Sequence, residues 1–145
     1  ANFLRLLRWV DSGWPMPLAA IDNRRSLVSV WNLCDLLVTL MRNPGASGGT
    51  WMVSDADDLS TPQLVHGIAR AMNRRARLIS VPVGLLQACG WLTGRQAEVR
   101  RLCESLVVDA SRTRALLGWV APVSAQQALA RTVAWYRTLG QTHGT

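Results

Sequence analysis

Two arginine pairs, Arg24-Arg25 and Arg100-Arg101, are the residues whose type and placement best suit chemistry. A guanidinium presents a planar fork of donors that can hold two phosphate oxygens at once. One fork from each of two separate elements would therefore clamp a diphosphate. Arg24-Arg25 follows the turn signal Asp22-Asn23, where a side chain can reach into a cleft, and Arg100-Arg101 lies on a predicted helix shortly before a β-rich run. Taken alone, the same pairs also read as solvated surface charge. Arginine carries all of the positive charge: sixteen basic residues, every one an arginine, stand against nine acidic ones for a net charge of +7. A chain without lysine has no Schiff-base lysine, lysine general base or lysine phosphate anchor. A serine–histidine pair would have to use His66 or His143. His66 falls mid-helix with no accompanying acid or nucleophile, so it reads as a surface or packing histidine. No residue of the chain is assigned a catalytic role.

The remaining motifs have plainer readings. Gly45-Ala46-Ser47-Gly48-Gly49 precedes a β-rich run rather than joining a strand to a helix, so it reads as a loop and not a phosphate cradle. Asp55, Asp57 and Asp58 lack the spacing of a calcium loop and read as a capped surface turn. Cys34, Cys89 and Cys103 are too few and too dispersed for a disulfide framework or a zinc site. Each sits in an apolar helical pattern, which predicts buried reduced thiols and a cytoplasmic setting. Most of the seven tryptophans fall beside leucine or valine and are expected in the core, with Trp14 and Trp31 flanking the arginine-bearing stretches. No apolar run reaches the roughly 18–20 residues needed to span a bilayer. A sequence pI of about 11.2 invites a nucleic-acid reading, but the arginines are scattered singly or in pairs among apolar residues. Solvated helix faces account for most of them, and no nucleic-acid partner is assigned.

These residues need elements to position them. Apolar periodicity predicts helices over residues 2–11, 31–42, 61–73, 82–92, 95–104, 111–118 and 125–139. Ser60 with Gln63 and Ser124 with Gln127 have the spacing of capping boxes, Ser111 is expected to cap its helix, and Gly118 to end it. The 31–42 helix is apolar almost all round and is expected to be buried on most sides. Residues 17–20 are expected to be extended, and short strands are expected at 26–30, 50–54, 77–81 and 106–108. Helices intervene between most of these strands, so an α/β layout whose strands complete a sheet built elsewhere fits best. At 145 residues the chain makes one domain, or a large piece of one. It opens without a methionine, directly in a helical pattern, and reads as a cut through a longer protein.

The order of motifs resembles a known family. Asn2-Phe3-Leu4-Arg5-Leu6-Leu7, Pro17-Leu18-Ala19-Ala20 and the run Asn23-Arg24-Arg25-Ser26-Leu27-Val28-Ser29-Val30-Trp31-Asn32-Leu33 are followed by Thr50-Trp51-Met52-Val53-Ser54. Then come Leu59-Ser60-Thr61-Pro62-Gln63-Leu64, Ser105-Leu106-Val107-Val108-Asp109-Ala110-Ser111, Leu116-Leu117-Gly118-Trp119, Pro122-Val123-Ser124 and Thr132-Val133-Ala134-Trp135-Tyr136. Together, over residues 2–137, they resemble the C-terminal half of the extended short-chain dehydrogenase/reductases, in particular the NAD-dependent epimerase/dehydratases that act on nucleotide sugars.

The resemblance implies an α/β fold: the helix-rich, substrate-binding part of a Rossmann-type enzyme, with the N-terminal Rossmann core absent. Residues 1–139 would form this region and residues 140–145 a frayed tail. It also implies roles position by position. Asn2 would lie near the diphosphate and sugar, the backbone of Leu18-Ala19-Ala20 would read the uracil, and Arg25 would bind phosphate. Ser26 stands where the family commonly has an acid. Arg101, with Arg100 as the alternative, would be the second phosphate or ribose arginine. The family's glycine-rich NAD loop and its tyrosine–x–x–x–lysine pair have no match here, and Tyr136 belongs to the structural ending of the last helix. The expected function is the UDP-sugar-binding portion of an NAD- or NADP-dependent enzyme, inactive by itself, with the cofactor on the N-terminal half and a homodimer as the assembly. The parent enzyme would oxidise a sugar ring carbon and return the hydride, or reduce a keto-sugar. The rival readings are a truncated family member that binds a partner chain and, less favoured, a basic nucleic-acid-binding domain.

Overall fold

In the computed structural model, the backbone is described for residues 2–141 and side chains for residues 3–139. Among the described residues the helices are α1 (Asn2–Ser12), α2 (Val30–Arg42), α3 (Thr61–Ala71), α4 (Val83–Leu92), α5 (Gln96–Cys103), α6 (Ser111–Leu117) and α7 (Ala125–Gln141). A single 3-10 turn occupies Pro44–Ala46. Local chemistry explains most of the boundaries. Ser60 Oγ accepts from the Gln63 N–H at 3.2 Å while Gln63 Oε1 accepts from the Ser60 N–H at 2.8 Å, a closed capping box at the start of α3. Ser124 and Gln127 repeat it before α7, at 3.3 and 3.1 Å. Ser111 does not cap α6 as expected. It is the helix's first residue, and its N–H donates at 2.8 Å to Asp109 Oδ1, a carboxylate two positions back that outcompetes a hydroxyl. Gly118 ends α6 with φ +61°, the left-handed conformation glycine adopts at least cost. α7 continues to Gln141, past the expected limit near Leu139, and residues 142–145 of the expected tail lie outside the described residues.

The four expected strands are not present as strands. Among the described residues, three isolated bridges replace them: Met16 with Leu78 (parallel), Arg25 with Leu59 (antiparallel) and Arg25 with Leu106 (parallel). Each pairing is cut short by the chain immediately beyond it. Val30 and Thr61 open helices, and Pro82, which has no N–H, immediately precedes α4. One register further along, the Ser26 hydroxyl replaces a backbone acceptor and receives the Val108 N–H at 2.9 Å. Residues 17–20 form a turn rather than an extended segment, because the Leu18 N–H folds back to Met16 O and the Ile21 N–H to Leu18 O.

The apolar core lies between α1, α3 and α7. Leu7 and Val10, Val65 and Ile68, and Leu129 and Val133 meet there, with Met16, Leu18 and Ile21 closing one side. α3 and α7 approach so closely that a Cβ on Gly67 would sit 2.7 Å from Leu129 Cδ1. Away from this core, the expectation of wide burial fails. α2 buries only Asn32 and Leu36, one helical turn apart, and Leu37, Val38 and Met41 face solvent, Met41 at 79% exposure. It packs on the 3-10 turn at its own C-terminal end, and Trp119 Nε1 donates to its Asp35 Oδ2 at 2.8 Å. Of the tryptophans only Trp119 is buried, and Trp14, Trp91 and Trp135 are more than half exposed. Cys34 and Cys89 are exposed and Cys103 is half-buried, against the expected burial of all three. Periodicity identifies an apolar face but not whether a neighbour covers it.

Candidate functional site

The site is built on the extended segment 23–29, which two buried asparagines hold in place. Asn23 accepts the Thr61 N–H at 2.8 Å and donates to Leu102 O and Glu104 O at 3.0 and 3.2 Å. One side chain thereby ties the stretch 21–23 to the start of α3 and the end of α5, and Thr61 Oγ1 adds a second bond to Leu102 O. Asn32 is buried beneath the other end of the segment. It donates to Val123 O at 2.8 Å and to Asp55 Oδ1 at 2.6 Å, and accepts the Val123 N–H at 2.9 Å. Asp55, also buried, receives the Ser29 N–H on both oxygens. Each asparagine uses its carbonyl and both amide hydrogens, so neither has an unpaired polar group.

On this frame Arg25 is the central member of three extended backbones. It exchanges N–H and carbonyl bonds with Leu59 at 3.0 Å, and the adjacent Ser26 N–H reaches Leu106 O at 2.8 Å. The Arg25 side chain, half-buried, donates to the backbone carbonyl of Arg101. The Arg25 side chain is therefore brought to the backbone of Arg101, 76 positions away in the chain. Arg101 carries its own guanidinium exposed at the C-terminal end of α5. Arg100 is engaged elsewhere, in an ion pair with Glu104 one turn on, and that contact pushes its pKa above the usual arginine value. Arg24 pairs with Asp58 at 3.3 Å.

By sequence Asp58 reads only as part of a capped surface turn. It also accepts the Ser26 hydroxyl hydrogen at 2.6 Å, so an acidic oxygen reaches position 26 through space although residue 26 is a serine. The acidic turn is thus not simply a surface feature: Asp55 and Asp58 organise the segment that bears Arg25. Nothing in their spacing marks this, since their partners lie 23–34 positions away.

The other predicted binding residues lie apart from this pair. The Ala19 N–H bonds to Ile79 O at 3.1 Å, the Leu18 N–H to Met16 O at 2.9 Å, and the Leu18 side chain is buried in the core, while Ala19 is exposed and Ala20 half-buried. The side chain of Asn2 lies outside the described residues. His66 is exposed on α3. Trp31 takes the Arg131 guanidinium over its ring at 5.3 Å. Among the described residues, no three His, Cys, Asp or Glu side chains converge as metal ligands. Burial, with Glu104 beside it, pushes the Cys103 thiol above its ordinary pKa.

The glycine-rich loop does not fit the pyrophosphate of a dinucleotide. It follows α2 and opens on the 3-10 turn, and Trp51 closes over it, donating from Nε1 to Ala46 O at 3.0 Å. A Cβ on Gly49 would lie 2.9 Å from the Trp51 ring, so the glycine makes room for an indole rather than for phosphate oxygens.

No family model matches the chain. It is 39% identical over 133 residues to a UDP-glucose 4-epimerase of Vibrio cholerae, an alignment covering 91% of this chain and 40% of that protein. It is 25% identical over 144 residues to the N-acetyl-alpha-D-glucosaminyl-diphospho-ditrans,octacis-undecaprenol 4-epimerase of Escherichia coli O157:H7, covering 91% of this chain and 43% of that protein. The chain thus spans about 40% of the length of these relatives. Among the described residues, no helix is long and apolar enough to cross a membrane.

Proposed function

We propose that the chain, similar along nine-tenths of its length to two epimerases, is the C-terminal, nucleotide-sugar-binding region of a Rossmann-type NAD- or NADP-dependent epimerase/dehydratase. The observation that carries this reading is the Arg25 side chain donating to the Arg101 backbone carbonyl, which joins the extended segment bearing one candidate arginine to the helix bearing the other. A UDP-sugar diphosphate is the ligand such a pair suits, because each fork can take two oxygens in charge-assisted hydrogen bonds. The segment Leu18-Ala19-Ala20, where Ala19 is exposed, is proposed for the uracil, and Asn2 for the diphosphate or sugar. The cofactor is assigned to the part of the enzyme this chain does not span; in the chain's own glycine loop the Trp51 indole takes the space beside Gly49. The chain by itself then binds substrate without turning it over, in a cytoplasmic, homodimeric enzyme. In the complete enzyme Arg25→Ala is expected to weaken UDP-sugar binding by about 1.5–3 kcal/mol, the range for a hydrogen bond to a charged group. Titration calorimetry reads this directly, and an unchanged dissociation constant would refute the clamp.

A second reading rests on the solvent-facing apolar side of α2, where Val30, Leu37, Val38 and Met41 are uncovered. A family member cut down to this region would act as a module that binds another chain through that side. Sizing chromatography with light scattering, with and without Met41→Glu, separates the readings: a self-associating chain made monomeric by the charge favours the module.

A further inference from the structure

A second arginine cluster stands at the other end of α3 from Arg25. Arg25 pairs with Leu59, just before α3, whereas a cleft of about 550 Å³ opens beyond the helix's last turn, where α1 and α7 converge. Eleven residues of helix separate the two places, about 16 Å along the axis. Arg8 from α1, Arg74 from the turn after α3 and Arg137 from α7 line this cleft, over a floor that includes the buried Met72. Among the described residues, one carboxylate, Asp11, stands against these three guanidinium groups. It is engaged on both oxygens, by Arg74 at 3.2 Å on Oδ1 and by the Tyr136 hydroxyl at 3.1 Å on Oδ2. Arg137 is aimed by a 2.9 Å bond to Met72 O, one of the carbonyls left over at the end of α3. These contacts fix the cleft walls and leave an excess of two positive charges in a partly apolar concavity.

We propose that this cleft is an anion site for a compact phosphate group, free or as a monoester, distinct from the Arg25–Arg101 pair. Arg8 and Arg137 reach the phosphate oxygens, and Asp11 with Tyr136 holds Arg74 as a third donor at the rim. The site does not depend on the proposed sugar-nucleotide function. The test is titration of the chain with inorganic phosphate at constant ionic strength, chloride being the balancing salt, with the arginine side-chain N–H signals followed by NMR. The Arg8, Arg74 and Arg137 signals are expected to shift together and saturate. Arg8→Gln should weaken the phosphate affinity about tenfold, on the scale of one lost charge-assisted contact. Arg112→Gln, the same charge change on α6, should leave it within about twofold of the parent. Glucose 6-phosphate moving the same signals marks a monoester site, and phosphate alone moving them marks a free-anion site. Shifts confined to Arg25 and Arg101, a response no greater than the chloride control, or equal losses in the Arg8 and Arg112 variants would each overturn the proposal. Circular dichroism of both variants confirms that the fold is retained.

Discussion

The α1–α3–α7 half of the molecule and the segment 21–33 with its partners are stabilised by different physics. In the first, aliphatic side chains from three helices fill a shared interior, and the attraction is non-directional burial. In the second, Asn23, Asn32 and Asp55 are buried and bind backbone groups from four separate stretches of chain. Apolar side chains around them, among them Val28, Val30, Leu106 and Val107, remain exposed. An apolar core tolerates some repacking, whereas a polar hub specifies one arrangement and leaves costly orphans when a member is lost. The candidate substrate arginines hang on the hub half, where position is set by directed bonds.

Substitutions in the two halves should separate these mechanisms. The largest effect is expected for Asn32→Leu, which removes partners from the buried Asp55 carboxylate and from both polar groups of Val123. Urea unfolding should show a loss of about 4 kcal/mol. Ile68→Ala, in the helical core, should cost about 3 kcal/mol through lost burial and the cavity left behind. If Asn32→Leu costs clearly less than Ile68→Ala, the hub is not what holds the segment, and the contrast between the halves collapses. Arg25→Ala sharpens the comparison from the functional side: it should act on UDP-sugar binding while shifting the unfolding midpoint little. Gly118→Ala tests backbone strain alone, because a Cβ there meets nothing within 4 Å while φ stays at +61°. About 1 kcal/mol is expected, read from the thermal midpoint.

The smallest expected effect is one of pH. Burial, then the hydrogen bond to Asp11, raises the Tyr136 hydroxyl above its ordinary pKa, with Arg8 and Arg74 pulling the other way. The protonated form is thus favoured more in the folded chain than in the unfolded one. Its contribution is complete below the ordinary tyrosine value near 10 and is lost as pH rises through the folded value. Urea midpoints should therefore decline as pH rises above about 10, and Tyr136→Phe should flatten that decline. A decline of equal steepness in the variant would place the alkaline sensitivity elsewhere.

Much of the fold was legible where its causes were local. Ser60 and Gln63, Ser124 and Gln127, Gly118 and the apolar spacing of α1, α3 and α7 each act within a few residues, so reading the chain in order located the helices. The strands were not legible, because residues 26–30 and 106–108 have β-type composition but pair over single bridges before a helix or a hydroxyl interrupts them. The burial of the cysteines and tryptophans was misjudged for a related reason: neighbours, which periodicity does not contain, decide what is covered. In the candidate site, the arginine pairs stood out by type. Their supports did not, because Asn23, Asn32, Asp55 and Asp58 are ordinary turn and helix residues until distant backbone is folded against them.

By itself the sequence determined the helices and most of their caps, an arginine-only positive charge without lysine, and a similarity to two epimerases along about nine-tenths of the chain. Those properties reside in composition, in contacts three or four residues apart, or in the order of motifs. Only the tertiary structure decided that Arg25 meets the Arg101 carbonyl, that Asp58 supplies an acid to Ser26, and that α2 presents apolar side chains to solvent. Pairings across 32 or 76 residues leave no periodic trace in a linear chain. They form because buried polar groups must find partners, and the partners within reach are those that chain closure brings there.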